Sequence, residues 1–300
     1  MIDWTNPIAV AGIIALCTLL VGALLATGAQ KRGLLGRNWQ PEGSRVPPVG
    51  GLALLLVLVG GDFFGLGSGP LPWAALGAAW VLGTRDDFRP LAALPKLAGQ
   101  LGVALLFALH RESLQGGDWL ALGKDLGLAM VAQNLANTWD HSDGLCAGWA
   151  LLLPGTPLLL RGALAGFLPL NLIRQARSGS GEDASPRPRA YLGDAGSHLV
   201  GILVALQPAA WLALALPAMD LSRVVWLRWR AGQAFWLADR RHLGHRLEAR
   251  GWHPIVGLVP LWPLWLGWHG PQALVGILLS FGILVQFTAR TGCTGATGRG

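Results

Sequence analysis

The chain has 300 residues, 52% of them hydrophobic and only 13% charged, with a mean hydropathy of +0.46. Soluble domains carry about 25% charged residues, so this composition excludes an ordinary water-soluble fold and points to an all-α polytopic membrane protein. The formal net charge of +7 and pI near 10.3 read as basic loops held on one side of a bilayer, and no nucleic-acid partner is expected.

Residues 8–29 form the first apolar segment. No Lys or Arg precedes it and Asp3 does, so it lacks the basic flank of a secretory signal and reads as a retained span. Lys31, Arg32, Arg37 and Arg45 follow it, which places the N-terminus outside and the first loop in the cytoplasm. Further spans are expected near 48–64, 70–84, 97–110, 119–137, 145–157, 159–173, 192–207, 209–226, 253–268 and 271–288. Several are shorter than the ~20 residues an isolated span needs, so neighbouring helices must shield them. A total of about eleven spans leaves the C-terminus in the cytoplasm. On that threading, all of the 23 basic residues except Arg111, Lys124 and Arg161 fall at or near the inner side. Residues 1–290 read as a single transmembrane domain, and 291–300 as a low-complexity, disordered tail. Cys17, Cys146 and Cys293 match no metal or disulfide spacing. The first two lie in or beside apolar stretches and read as packing residues.

The outer connections are short and bland, and the inner ones carry nearly all the polar chemistry. Asp86 and Asp87 stand side by side in GTRDDFRP. Charge at a membrane boundary usually marks an ion or substrate site, although such a pair can also cap a helix. Asn134, Asn137, Asp140 and Asp143 recur every three residues in NLANTWDHSDG, a spacing that puts them near one helical face. Asp194 lies among small residues in YLGDAGS, where a new helix is expected to offer free N–H groups to phosphate. His242, His245 and Arg246 follow in ADRRHLGHRL. Acids for a metal, N–H groups and Arg for phosphate, and a histidine pair together suit a nucleoside diphosphate with Mg²⁺, which takes one or two carboxylates plus substrate phosphates. Interfacial histidines and helix-end caps are the bland alternatives.

In order, these segments resemble the polyprenyl-phosphate N-acetylhexosamine-1-phosphate transferases, which include the translocase of peptidoglycan synthesis. The likeness covers roughly Arg45 to Gly251. It starts with Pro47, Gly50 and Gly51 leading into the second helix, and continues through Asp86-Asp87 with Lys96 and Gln100. Asn134, Asn137, Asp140, Asp143-Gly144-Leu145 and Asn171 follow, then Asp194 in GDAGS. Asp220 in PAMDLSRVV and the histidine segment complete it.

The resemblance implies transfer of a sugar-1-phosphate, most simply GlcNAc-1-phosphate, from a UDP-sugar to undecaprenyl phosphate with release of UMP. This would be the first membrane step of a cell-envelope glycan. It implies a Mg²⁺ cofactor (with Mn²⁺ as a substitute), a bacterial inner-membrane location, an active site facing the cytoplasm, and the option of a homodimer. Carried over residue by residue, Asp86, Asp87 and Asp143 are the catalytic acids. Asp194 is the leading metal ligand with Asn137. Asn137, Asp140, Asn171, His242, His245 and Arg246 are substrate contacts. His141 and Gly244 stand where the family has glycine and histidine. The three consecutive histidines of the peptidoglycan enzyme are absent, which makes that enzyme the second reading. A transporter or a non-catalytic lipid-phosphate-binding paralogue is the reading from another class.

Overall fold

The computed structural model describes residues 6–35, 46–67, 70–116, 118–174, 186–234 and 240–289. Among these residues there is no β-strand, and the chain is an all-α membrane protein. Among the described residues, three helices are long and apolar enough to cross a membrane: Pro7–Lys31, Ala93–Leu114 and Gly270–Ala289. The chain divides into two compact units between Trp211 and Leu212. The tail, Asp3, Arg37, Arg45, Cys293 and most of the 174–190 insert lie outside the described residues.

The first unit contains α1 (Pro7–Lys31), α2 (Gly50–Phe63), α3 (Trp73–Phe88), α4 (Ala93–Gln115), α5 (Trp119–Trp139), α6 (Leu145–Leu152), α7 (Leu158–Leu172) and α8 (Gly193–Ala205). The expected spans correspond to these helices within a few residues. One exception is the stretch read as 145–157, which ends as a helix at Leu152 ahead of Pro154 and Pro157.

Helix α8 is the hub of this unit. It packs against α2, α3, α5 and α6, and every residue from Ala195 to Ala205 is buried. The apolar effect does little to join helices in lipid, so association depends on close packing of small residues. Here a Cβ on Gly83 of α3 would lie 2.3 Å from Ala195 N, and one on Gly51 of α2 would lie 2.5 Å from Gly196 N. These glycines allow both helices to touch the α8 backbone. Helices α1 and α7 pair in the same manner, with Gly166 against the Ala15 carbonyl. The Pro47–Gly51 segment does lead into α2. Its first turn is capped by the segment just before α8, with Gly50 N donating to Tyr191 O and Gly51 N to Leu192 O, both at 3.0 Å.

The second unit contains α10 (Ala215–Arg230), α11 (Leu243–Glu248), a 3₁₀ helix (Pro254–Leu261), α12 (Trp262–Trp265) and α13 (Gly270–Ala289). The division between the units falls within α9 (Ala210–Ala213). Sequence reading expects one span over 253–268, whereas the structure has a 3₁₀ helix followed by one turn of α-helix. Pro254, Pro260 and Pro263 explain the difference. Each removes an amide donor, and an interior proline clashes with the preceding turn. Cys146 is buried as expected, but Cys17 is exposed on α1.

Candidate active site

The site assembles at the C-terminal ends of α3 and α5 and the N-terminal ends of α4 and α8. Asp86 and Asp87 occupy the last turn of α3, Lys96 the first turn of α4, Asn137 the last turn of α5, and Asp194 the first turn of α8. The apolar bodies of these helices fix their packing. The polar chemistry is confined to the ends, where helix backbone groups need partners.

Asp86 and Asp87 are 3% and 4% exposed and face different neighbours. Asp86 Oδ1 accepts from Leu91 N at 2.6 Å, and its Oδ2 lies 2.6 Å from Lys96 Nζ. Asp87 reaches across to α8, where Oδ1 accepts from Asp194 N at 2.8 Å and Oδ2 from Ala195 N at 3.2 Å. Gly193 N donates to Asp140. The α8 N-terminus, expected to offer free N–H groups to phosphate, is therefore occupied by two carboxylates of the protein itself. A helix N-terminus stabilises negative charge, and here Asp87 of α3 is placed to supply it, with the Asp140 carboxyl accepting beside it. Gly193 has φ +77, and a Cβ there would meet Asp87 Oδ2 at 2.8 Å and Pro48 Cβ at 2.9 Å. Only glycine satisfies both constraints.

Lys96 ties the cluster together. Its Nζ is 3.0 Å from Asp194 Oδ2. With the Asn137 amide oriented to give both its groups a complementary partner, the Asn137 oxygen accepts from Lys96 Nζ at 2.7 Å and its nitrogen donates to Asp194 Oδ1 at 2.8 Å. Below this cluster a second polar layer runs through the helices. Gln100, one turn beyond Lys96, faces His198 Nε2 at 3.2 Å, and Gln133, one turn before Asn137, donates to Gln100 O at 3.2 Å. Sequence reading missed this layer as a unit. Its signal was present as two i,i+4 polar pairs, Lys96/Gln100 and Gln133/Asn137, on otherwise apolar helices.

The three-residue spacing of the Asn/Asp series does not continue along one helix. Helix α5 ends at Trp139, Asp140 is its C-cap, and Asp143 lies in the turn that follows. Asn134 is excluded from the cluster, since its side-chain nitrogen donates back to Met130 O at 2.8 Å. Burial first, and then the negative fields of Asp194, Asp87 and Asp143, push the Asp140 carboxyl well above the usual carboxylate range, although the Gly193 N–H offsets part of this. Asp143 accepts two bonds from Arg174, at 2.8 Å from Nε and 2.7 Å from Nη2. Asn171 acts as a buried clamp between backbones. Its Oδ1 accepts from Gly144 N at 2.7 Å and its Nδ2 donates to Ala190 O at 3.1 Å. No feature of the sequence pointed to Arg174, or to a clamping rather than contacting role for Asn171.

His242, His245 and Arg246 belong to the second unit. Asp220, fully buried in α10, organises this region. Its Oδ2 faces His242 Nδ1 at 2.9 Å, while Oδ1 accepts from Arg223 Nη2 at 2.9 Å and Leu243 N at 3.1 Å. His245 Nδ1 lies 3.2 Å from Glu248 Oε2, and Arg246 donates to Val285 O at 3.1 Å.

The donor set around Asp194 can be tested against a hard divalent ion. Among the described residues no three His, Cys, Asp or Glu side chains form a metal cage. Mg²⁺ does not need one where substrate phosphates complete its shell. Asp194 and the Asn137 oxygen share a neighbour in the Lys96 ammonium, with Asp86 on its other side and Asp140 and Asp87 in the same electrostatic field. Oxygen donors with carboxylate charge in excess of that ammonium fit such an ion.

No family model matches the chain. Curated relatives include the decaprenyl-phosphate N-acetylglucosaminephosphotransferase of Mycobacterium tuberculosis, 25% identical over 74% of this chain and 70% of the relative. The protein of the same name from Mycobacterium leprae is 26% identical over 74% of this chain and 71% of its own length. The motifs met in order along the chain run alongside these likenesses, and the chain is similar to the decaprenyl-phosphate N-acetylglucosaminephosphotransferases at 25–26% identity.

Proposed function

We propose that the chain transfers N-acetylhexosamine-1-phosphate, with GlcNAc-1-phosphate as the first choice, from a UDP-sugar to a polyprenyl phosphate and releases UMP. The reading is carried by the convergence of Asp86, Lys96, Asn137, Asp140 and Asp194 at the start of α8, in a chain whose relatives bear the name decaprenyl-phosphate N-acetylglucosaminephosphotransferase. The residues come from distant parts of the sequence, so their meeting reflects the fold rather than local spacing. The basic residues that follow α1 support placing this face in the cytoplasm and the chain in the inner membrane.

In this reading Asp194 and Asn137 would hold a Mg²⁺ ion, or Mn²⁺ in its place. Bound there, the ion would neutralise diphosphate charge and stabilise the leaving UMP. The protein's own residues do the positioning. Asp87 fixes the first turn of α8, and with it the direction of the Asp194 side chain. Asp86 holds the Leu91 turn and steers Lys96. Lys96 is the ammonium available to a phosphate oxygen. The acceptor phosphate attacks the β-phosphorus of the donor, a new P–O bond forms, and the bridging bond to the α-phosphate breaks. A phosphate monoester has a second pKa of about 6, so the attacking oxygen is already anionic and needs little help from a base. Phosphoryl transfer depends on such positioning and charge neutralisation more than on covalent chemistry. Both Asp87 oxygens are engaged by backbone N–H groups, which argues for direct attack over an Asp87 phospho-intermediate.

The test is reconstitution. Purified protein, Mg²⁺, a polyprenyl phosphate and a panel of UDP-sugars should give lipid-dependent UMP, strongest with UDP-GlcNAc, and Asp194→Asn should cut it by roughly 10²–10³-fold. Folded protein that releases no UMP from any donor would refute the proposal.

A further inference from the structure

Lys96 is the cation already standing among the acids. Its Nζ has three oxygen neighbours, Asp86 Oδ2 at 2.6 Å, Asp194 Oδ2 at 3.0 Å and the Asn137 oxygen at 2.7 Å. The Asp194 and Asn137 oxygens are the donors assigned above to the divalent ion, so the ammonium and the ion compete for the same seat. Asp86 is also anchored by Leu91 N, whereas the Lys96 side chain is 21% exposed and sits on a flexible four-carbon stem. Asp86 is therefore held in place and the ammonium can swing.

We propose that Lys96 is a tethered stand-in for the divalent cation. In the substrate-free protein it screens Asp86 and Asp194 from each other and holds the Asn137 amide in place. When a nucleoside diphosphate arrives with its metal, the ammonium releases Asp194 and Asn137 and turns to a phosphate oxygen. This inference rests on the metal-dependent reading of the site. Its consequence is coupling. A metal ion alone has to displace Lys96 without offering it a new partner and binds weakly. A metal ion with a diphosphate supplies that partner and binds tightly.

Mn²⁺ titration of the full chain in detergent, followed by electron paramagnetic resonance and corrected for Mn²⁺ bound to UDP in buffer, tests this without turnover. The parent protein should bind Mn²⁺ at least tenfold more tightly with UDP than without. Lys96→Met should bind Mn²⁺ without UDP at least tenfold more tightly than the parent and gain little from UDP. Lys96→Arg, which keeps the charge, should stay close to the parent. UDP-free affinity in Lys96→Met equal to or weaker than the parent's overturns the stand-in role while leaving the metal site intact. If Lys96→Met does not fold, equal parent affinities with and without UDP overturn it. Absence of Mn²⁺ binding to any of the proteins, with or without UDP, overturns the metal reading itself and this inference with it.

Discussion

One peptide bond joins Asp86 to Asp87, yet their carboxylates serve different elements: Asp86 holds Lys96 and the Leu91 turn, and Asp87 holds α8. Their substitutions should therefore differ from that of Asp194. Asp87→Asn replaces one charged acceptor by a donor facing a backbone N–H, and hydrogen bonds to charged groups contribute about 1.5–3 kcal/mol. It should lower the thermal midpoint and activity together. Asp194→Asn should cut turnover by roughly 10²–10³-fold, the scale seen when one electrostatic contact to the transition state is lost, and should remove the gain in midpoint that Mg²⁺ gives the parent, a gain that Asp87→Asn should keep. Thermal melts alongside turnover assays separate the two. Asp140 gives a pH signature. Its raised carboxyl means that the folded state keeps a proton that the unfolded chain releases. Stability of the metal-free protein should then fall as pH rises from the ordinary carboxylate value toward the raised one. A divalent ion relieves that repulsion, so the gain in melting temperature on adding Mg²⁺ should grow as pH rises above the ordinary carboxylate value. A gain that shrinks over this range would contradict the assignment. The sequence displayed all of these acids, and the motif order assigned them to one site. The partner of Asp87, 107 residues away on α8, was not legible, because capping of a distant helix leaves no local spacing to read.

Helix α8 shows why the element scale decides the site. It is buried on all sides and touches its neighbours through glycine, so its position is set to within fractions of an ångström by Gly51 and Gly83. Gly83→Ala would place a methyl group 2.3 Å from Ala195 N, and overpacking of this kind costs about 1–3 kcal/mol. The variant should melt earlier than the parent and lose activity although no site residue has changed. Gly77→Ala on the same helix, where a Cβ meets nothing within 4 Å, should do neither. Helix positions were readable from runs of apolar residues because lipid requires both continuous apolar length and internally satisfied backbone. Helix type was less readable. The segment 253–268 is apolar throughout, but its prolines impose a 3₁₀ path. Polar pairs one turn apart on α4 and α5 were visible, but their meeting through Gln100 and Gln133 depends on helix rotation, which a single sequence does not encode in its spacing.

At the scale of the whole molecule, the basic residues after α1 carry the proposed orientation. With the native cysteines replaced by serine, a single cysteine at exposed Arg32 should resist a membrane-impermeant maleimide in intact cells and react after lysis, whereas one at exposed Ser113 should react in intact cells. The reverse pattern would place the site on the outer face. In the proposed reaction the bond broken is the one between the donor's β-phosphorus and the oxygen that bridges it to the α-phosphate. Turnover of UDP-GlcNAc labelled with ³²P at the β-phosphate tests it most directly. The label is expected in the polyprenyl lipid, with unlabelled UMP in solution, and both should fall by roughly 10²–10³-fold with Asp194→Asn. Release of labelled UDP, with the sugar alone passing to the lipid, would contradict it.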